Sequence, residues 1–98
     1  MPSPIIRPIQ SMPGAAKTVA AVTTELIAAN ELRVFASICN DSDEAMYLAF
    51  GEDAVMNSGM RINAAGGSYI INDDNLTLLA VNGICTSGQK NACVIEGT

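Results

Sequence analysis

The sequence predicts an all-β fold, a small antiparallel β-sandwich or barrel of about seven strands. Short apolar runs alternate with turn residues from Arg33 to the end of the chain, at the spacing expected of such a fold. All four prolines lie within the first thirteen residues, which predicts an extended, proline-rich N-terminal arm. The 98 residues correspond to one domain, and a chain of this length can bury a sizeable core without disulfides or metals.

The N-terminal arm is predicted to cover residues 1–17, followed by a single β-sandwich domain over residues 18–98. Proline fixes φ and cannot donate to a strand ladder, so the arm is expected to be extended rather than helical. A disordered terminus is the alternative, but such a tail has no need of apolar side chains. The apolar residues of the arm are therefore predicted to contact a neighbouring protein: Ile5, Ile6, Ile9 and Met12.

The next segment, "KTVAAVTTELIAAN", has an ambiguous period. Its apolar residues fall on one helical stripe, at steps of three and four. The same segment contains six β-branched residues, which favour a pleated strand. We interpret it as the first strand.

Six further strands are predicted between Arg33 and Glu96. Each is an apolar run bounded by Gly, Asn, Asp or Ser, the residues that turn a chain. The last connection, "TSGQKN", is predicted to close a hairpin. The predicted strands cover residues 33–40, 45–50, 60–62, 68–71, 76–81 with an extension to 85, and 92–96.

The acidic stretch "ICNDSDEAMYLAFG" admits two readings, a metal loop or a turn. Asp41, Asp43 and Glu44 lie within four residues of one another, as carboxylates do in calcium sites. A calcium loop also needs a central Gly and a distal bidentate Glu, and this stretch has neither. Asn40, Asp41 and Ser42 favour a turn because their side chains bond the local backbone. The sequence therefore predicts a hairpin turn here, and no metal site.

Apolar residues lie on both faces of the predicted strands. In the run from Arg33, alternation places Ala36 and Ile38 on one face, and Phe35 on the other beside Arg33. An isolated antiparallel sandwich usually presents a polar outer face to water. Only 15% of the residues are charged, against about 25% in a typical soluble domain. Neighbouring subunits are thus expected to cover the outer faces, the alternative being that small alanines tolerate exposure. The residues predicted for a subunit interface are Phe35, Tyr47 and Ala49.

Several functions are disfavoured by composition. The net charge is −5 and the basic residues form no stripe, so nucleic-acid binding is not expected. No apolar run approaches the about 18 residues needed to span a membrane. The chain has no histidine and hence no ordinary Ser-His or Cys-His relay. The prediction is a protein that is not an enzyme and that has no cofactor.

The three cysteines, Cys39, Cys85 and Cys93, lie in apolar strand-like runs. Buried, reduced cysteines commonly have such surroundings. A bridge between Cys85 and Cys93 across a hairpin is the alternative, and it stays open at this point.

Four segments together resemble small β-rich modules of tailed-bacteriophage virions. They are "AAN", "R.F.SICNDSDEAMYLAFG", "INAAGGSYII" and "NGICTSGQKNACVIE", and they extend from Ala28 to Glu96, about two-thirds of the chain. Such modules occur in capsid decoration (cement) proteins, in head fibres and in tail or baseplate parts. The resemblance implies a virion structural protein made in the host cytoplasm.

Chain length and charge favour a capsid decoration protein among these. A short acidic chain with an apolar arm suits a separate subunit, expected to be a homotrimer, that binds the major capsid protein on the outer surface of the head. Under this hypothesis the arm residues contact the capsid or a neighbouring subunit. The alternative is a tail, baseplate or head-fibre module that binds host carbohydrate through Tyr47 or Tyr69.

Overall fold

The computed structural model describes residues 8–98. It confirms the all-β sandwich, with eight strands in two antiparallel sheets rather than about seven strands. The predicted arm residues Ile5 and Ile6 lie outside the described residues. The strands are β1 (Gly14–Val19), β2 (Thr24–Ile27), β3 (Phe35–Asn40), β4 (Met46–Phe50), β5 (Met60–Ile62), β6 (Ser68–Ile71), β7 (Val81–Cys85) and β8 (Lys90–Gly97).

The strand order is that of a jelly roll. Sheet 1 has the order β1-β8-β3-β6, and sheet 2 has the order β2-β7-β4-β5. The first strand therefore pairs with the eighth, the second with the seventh, the third with the sixth and the fourth with the fifth. The chain follows one long antiparallel ribbon, rolled so that successive pairs fall in alternate sheets, which is the eight-stranded, two-sheet jelly-roll arrangement.

The ambiguous segment over residues 17–30 holds parts of two strands in different sheets, so the prediction of one strand was wrong. Between β1 and β2, the Ala20 N–H donates to Thr24 Oγ1 at 3.1 Å, and that hydroxyl donates to the Val22 carbonyl at 2.9 Å. These bonds close a local turn that carries the chain across to sheet 2. In addition, β1 begins at Gly14, within the range predicted for the arm.

The acidic stretch is a turn that joins the two sheets. Asn40 is fully buried, and its Nδ2 donates to the carbonyls of Glu44 at 2.8 Å and Ile62 at 3.1 Å. Its Oδ1 accepts the Ser42 hydroxyl at 2.6 Å. The predicted turn is present, but β3 and β4 lie in different sheets, so it is not a hairpin. The connection from β7 to β8 crosses between sheets in the same way.

The predicted strand over residues 76–81 was wrong except at its end, because β7 starts at Val81. The backbone carbonyls before it bond elsewhere. Arg33 Nη1 donates to the carbonyls of Thr77 at 2.8 Å and Leu79 at 2.9 Å, and the Asn30 N–H donates to Leu78 at 2.9 Å. The buried Arg33 side chain thus donates hydrogen bonds that a neighbouring strand would otherwise supply to this segment.

The core lies between the sheets and is built from the inward residues of the strands. Ala36, Ile38, Met46 and Leu48 are buried, as strand alternation predicts. Arg33 departs from the prediction, because it lies ahead of β3 and is 1% exposed. The buried apolar cluster comprises Val19, Leu26, Ile27, Ala36, Ile38, Met46, Leu48, Ile62, Ile71, Val81, Cys85, Ala92 and Val94.

Candidate docking face

The outer face of sheet 1 carries mainly small and apolar side chains, and the Asp41 carboxylate lies at one end of it, 4.0 Å from Cys93 Sγ. Register places its residues in rows across the sheet, because cross-strand partners share a face. One row runs Ala16, Cys93, Cys39, Ser68, and the next runs Gly14, Ile95, Ser37, Ile70. We call this surface the docking face; its residues are Gly14, Ala16, Phe35, Ser37, Cys39, Ser68, Ile70, Cys93 and Ile95.

The docking face is shallow and concave near its centre. A depression of about 510 Å³ is lined mainly by its small side chains and by the adjoining Ala15 and Val94. At one edge of the face, Ile70 is 48% exposed. At one end, the side chain of Ile9 packs over Gly97, where an added Cβ would lie only 3.0 Å from Ile9. Because Gly97 has no side chain, Ile9 can lie against the sheet at this position.

The outer face of sheet 2 differs because the chain covers it with its own loop, residues 51–59. The Tyr47 hydroxyl donates to Asn57 Oδ1 at 3.1 Å, and Asn82 Nδ2 donates to the Glu52 carbonyl at 2.6 Å. The Ala54 N–H donates to Thr23 Oγ1 at 2.8 Å, and Ala54 is buried. Residues of the same chain thus cover part of the outer face of sheet 2, and cover by neighbouring subunits stays a prediction.

The structure separates the residues predicted for a subunit interface. Phe35 lies on the docking face, paired with Gly97. Tyr47 and Ala49 lie on the outer face of sheet 2, on the other side of the sandwich, since the intervening Leu48 points into the core. The three residues do not form one surface.

Two of the four predicted arm contacts lie within residues 8–98. Ile9 and Met12 are each 43% exposed. Ser11 exchanges two backbone hydrogen bonds with Thr98, at 3.2 and 2.9 Å, so the segment ahead of β1 continues along β8. Ile9 and Phe35 both adjoin Gly97, and this end of the docking face therefore joins residues from the two predicted sets.

Acidic side chains lie at the end of the sandwich beside the β7–β8 connection. Asp43 forms an ion pair with Lys90 at 2.7 Å, and the Lys90 ammonium lowers the pKa of this carboxyl. Glu44 accepts the Ser87 N–H at 2.7 Å and its hydroxyl at 2.9 Å, and these bonds lower the pKa of Glu44. The acids predicted to turn the chain thus also fasten one inter-sheet connection to another.

Sequence reasoning missed two features of this region. The first is that Cys39 and Cys93 lie directly opposite each other in β3 and β8. The second is the ion pair between Arg33 Nε, whose side chain is buried, and Glu96 Oε2, whose side chain is partly exposed, at 2.6 Å. An arginine and a glutamate in apolar runs of a chain poor in charge were the available signals, but their distance in sequence hid the pairing.

Cys85 lies apart from the other two cysteines. It is buried in sheet 2, whereas Cys93 is exposed on sheet 1, so the structure does not place the two across a hairpin. Burial raises the pKa of the Cys85 thiol, which lies 3.4 Å from the Val19 carbonyl and donates to it. The expectation of three buried cysteines is confirmed for Cys85, but Cys39 is half-buried and Cys93 is exposed.

Within residues 8–98, no group of three or more His, Cys, Asp or Glu side chains is arranged to hold a metal ion. The same residues include no helix able to cross a membrane. Comparison with known protein families, with curated proteins and with solved structures found no match to this chain.

Proposed function

We propose that this chain is a virion structural protein, a capsid decoration subunit that binds the major capsid protein through the docking face and reinforces the shell. The observation that carries the docking role is the contrast between the two outer faces. Sheet 2 is covered by residues 51–59 of the same chain, whereas no loop among residues 8–98 lies over the docking face of sheet 1, which Ile9 overlays at one end.

The distribution of charged residues on the chain supports a protein partner whose surface carries both apolar and polar groups. The chain has a net charge of −5. Its charged residues lie in turns, on sheet 2, where Glu25 and Arg61 are exposed, and at Lys17, Lys90 and Glu96 of sheet 1, none of which is a docking-face residue. The docking-face residues carry no carboxylate or amine, so they can be buried without stranding a charge when the Asp41 carboxylate beside Cys93 stays at the edge of the contact. Electrostatic repulsion between neighbouring acidic chains then acts outside the docking face. This is compatible with many copies on one shell and with a homotrimer.

The choice of a virion rests on the sequence resemblance, and the fold is compatible with it. Jelly rolls form viral capsid domains, and they also form lectins and cupins. Fold alone does not select a function. The carbohydrate alternative gains no specific support, because Tyr69 packs against Phe50 with ring centroids 5.4 Å apart, and its hydroxyl accepts Asn75 Nδ2 at 3.1 Å.

The proposed function is tested with capsids purified without this protein, from the phage that encodes it. We expect the added chain to co-sediment with the capsids and to raise the temperature at which they rupture, because each bound copy buries the docking face against the shell. Bovine serum albumin at the same concentration is the control. Binding to host glycan, with no co-sedimentation and no change in rupture temperature, would contradict the proposal.

A further inference from the structure

The docking face contains a pair of cysteines on adjacent strands. Cys39 in β3 and Cys93 in β8 are direct partners in the antiparallel register. Both point away from the core, because their neighbours Ile38 and Val94 are buried on the inner face. Cys93 is exposed and Cys39 is half-buried, so solvent can reach the pair.

The strand register sets the distance between the Cα atoms of Cys39 and Cys93. The Asp41 N–H donates to the Asn91 carbonyl at 3.1 Å, two positions further along the same ladder. Hydrogen-bonded pairs recur at every second position, so Cys39 and Cys93 also form such a pair, with Cα atoms about 5.5 Å apart. That separation lies within the range found for disulfides, about 4.4–6.8 Å.

The Cβ atoms require a small adjustment. Directly opposed residues have Cβ atoms about 4.5–5.5 Å apart, whereas a disulfide needs about 3.5–4.5 Å. Because the Cβ atoms of a hydrogen-bonded pair lie at the longer end of their range, closing the bond draws β3 and β8 together by about 1–2 Å at this point. A bond formed in this way is readily reduced, because strained disulfides have more oxidising potentials.

We propose that Cys39 and Cys93 are a redox-active dithiol that closes to a reversible cross-strand disulfide by exchange with a small-molecule disulfide such as oxidised glutathione. The proposal stands on register and exposure and does not depend on the virion role. The accessible Cys93 is the attacking thiol. Its sulfur is 3.7 Å from Asn91 Nδ2, which donates to it, and 4.0 Å from Asp41 Oδ2.

The exchange has two steps. The Cys93 thiolate attacks one sulfur of oxidised glutathione, forming a mixed disulfide and releasing one glutathione thiolate. The Cys39 thiolate then attacks the Cys93 sulfur and releases the second. The two cysteine protons pass to the two departing thiolates. Two electrons pass from the cysteines to the glutathione, so the products are one protein disulfide and two molecules of reduced glutathione.

The test treats the folded chain with oxidised glutathione, quenches it with acid, alkylates the remaining thiols under denaturing conditions and measures intact and peptide masses. We expect one alkylated thiol, on Cys85, and a linked pair of peptides that contain Cys39 and Cys93. Reduced glutathione added to the native protein is expected to restore three alkylated thiols. The variant C85S is expected to form the same bond, since Cys85 is buried in the other sheet.

The variant C39S separates exchange from closure. We expect it to stop at a stable mixed disulfide between Cys93 and glutathione, with a far-ultraviolet circular dichroism spectrum like that of the wild type. A wild-type chain that keeps three free thiols, that stops at the mixed disulfide, or that links Cys85 to either partner would overturn the proposal.

Discussion

At the scale of single residues, Arg33 shows how one charge organises an apolar sandwich. Its guanidinium donates to Glu96 Oε2, to the carbonyls of Thr77 and Leu79, and to the Ala28 carbonyl at 2.8 Å. These bonds hold together the segment between β2 and β3, strand β8 and the irregular segment before β7. Burying an arginine is tolerated here because its donors are paired, which offsets the cost of removing the charge from water.

Replacing Arg33 with Met tests this role. We expect the free energy of unfolding to fall by about 3 kcal/mol, because the change leaves three carbonyls without the donor that Arg33 supplies and leaves the Glu96 carboxylate with Asn30 Nδ2 as its donor. Urea denaturation followed by circular dichroism measures it. The matched control is Arg61→Met, whose side chain is exposed and whose effect is expected to stay within about 0.5 kcal/mol. Equal losses from the two variants would contradict a buried structural role for Arg33.

Residue-level reasoning predicted the inward side chains Ala36, Ile38, Met46 and Leu48 well, because alternation in a strand depends only on neighbouring positions. It placed Arg33 on the wrong face. The partner that makes its burial possible, Glu96, is 63 residues away, and local pattern contains no information about such a contact.

At the scale of elements, the acidic turn between β3 and β4 is bonded to the connection between β7 and β8. We call these contacts of Asp43 and Glu44 the acidic link. Glu44 binds the backbone and side chain of Ser87, and Asp43 binds Lys90 at the start of β8. Turn chemistry was readable from the sequence, since Asn40 and Ser42 bond the backbone locally. The wrong assignment as a hairpin arose because the same residues also serve a crossing between sheets, and only the pairing of the strands distinguishes the two.

The acidic link predicts that the stability of the fold depends on pH. The folded pKa values of Glu44 and Asp43 lie below the ordinary values of 4.5 and 3.8. The unfolded chain therefore binds more protons in acid, and the stabilisation is complete above about pH 4.5 and is lost as pH falls through the folded pKa values. We expect the melting temperature to decline below that pH.

The variant Glu44→Gln isolates this contribution. Its melting temperature is expected to be lower than that of the wild type at pH 7, and to fall less between pH 5 and pH 2. The control Glu25→Gln alters an exposed carboxylate to which no hydrogen bond or ion pair is assigned within residues 8–98. If the melting temperatures of Glu44→Gln and the wild type fall in parallel with pH, the acidic link does not contribute to stability in acid.

At the scale of the whole molecule, the sequence predicted the fold class but not the topology. Strand positions follow from local alternation and turn residues, and most of the predicted strands are present. The jelly roll pairs the first strand with the eighth and the second with the seventh, and such pairings depend on contacts across the whole chain. The two-sided apolar strands predict an interaction surface, and this stays a prediction. Only the structure shows that residues 51–59 lie over the outer face of sheet 2, whereas among residues 8–98 the docking face is overlaid by Ile9 at one end, at Gly97.

The central claim is that the docking face, and not the outer face of sheet 2, binds the partner. The most direct measurement compares capsid affinity of Ile70→Asp with that of Val55→Asp, two exposed apolar residues, 48% and 58% exposed, on opposite sides of the sandwich. We predict at least about a tenfold loss for Ile70→Asp, since burying an unpaired carboxylate costs more than about 1.4 kcal/mol, and wild-type affinity for Val55→Asp. Unchanged binding by Ile70→Asp, or a greater loss by Val55→Asp, would contradict the claim.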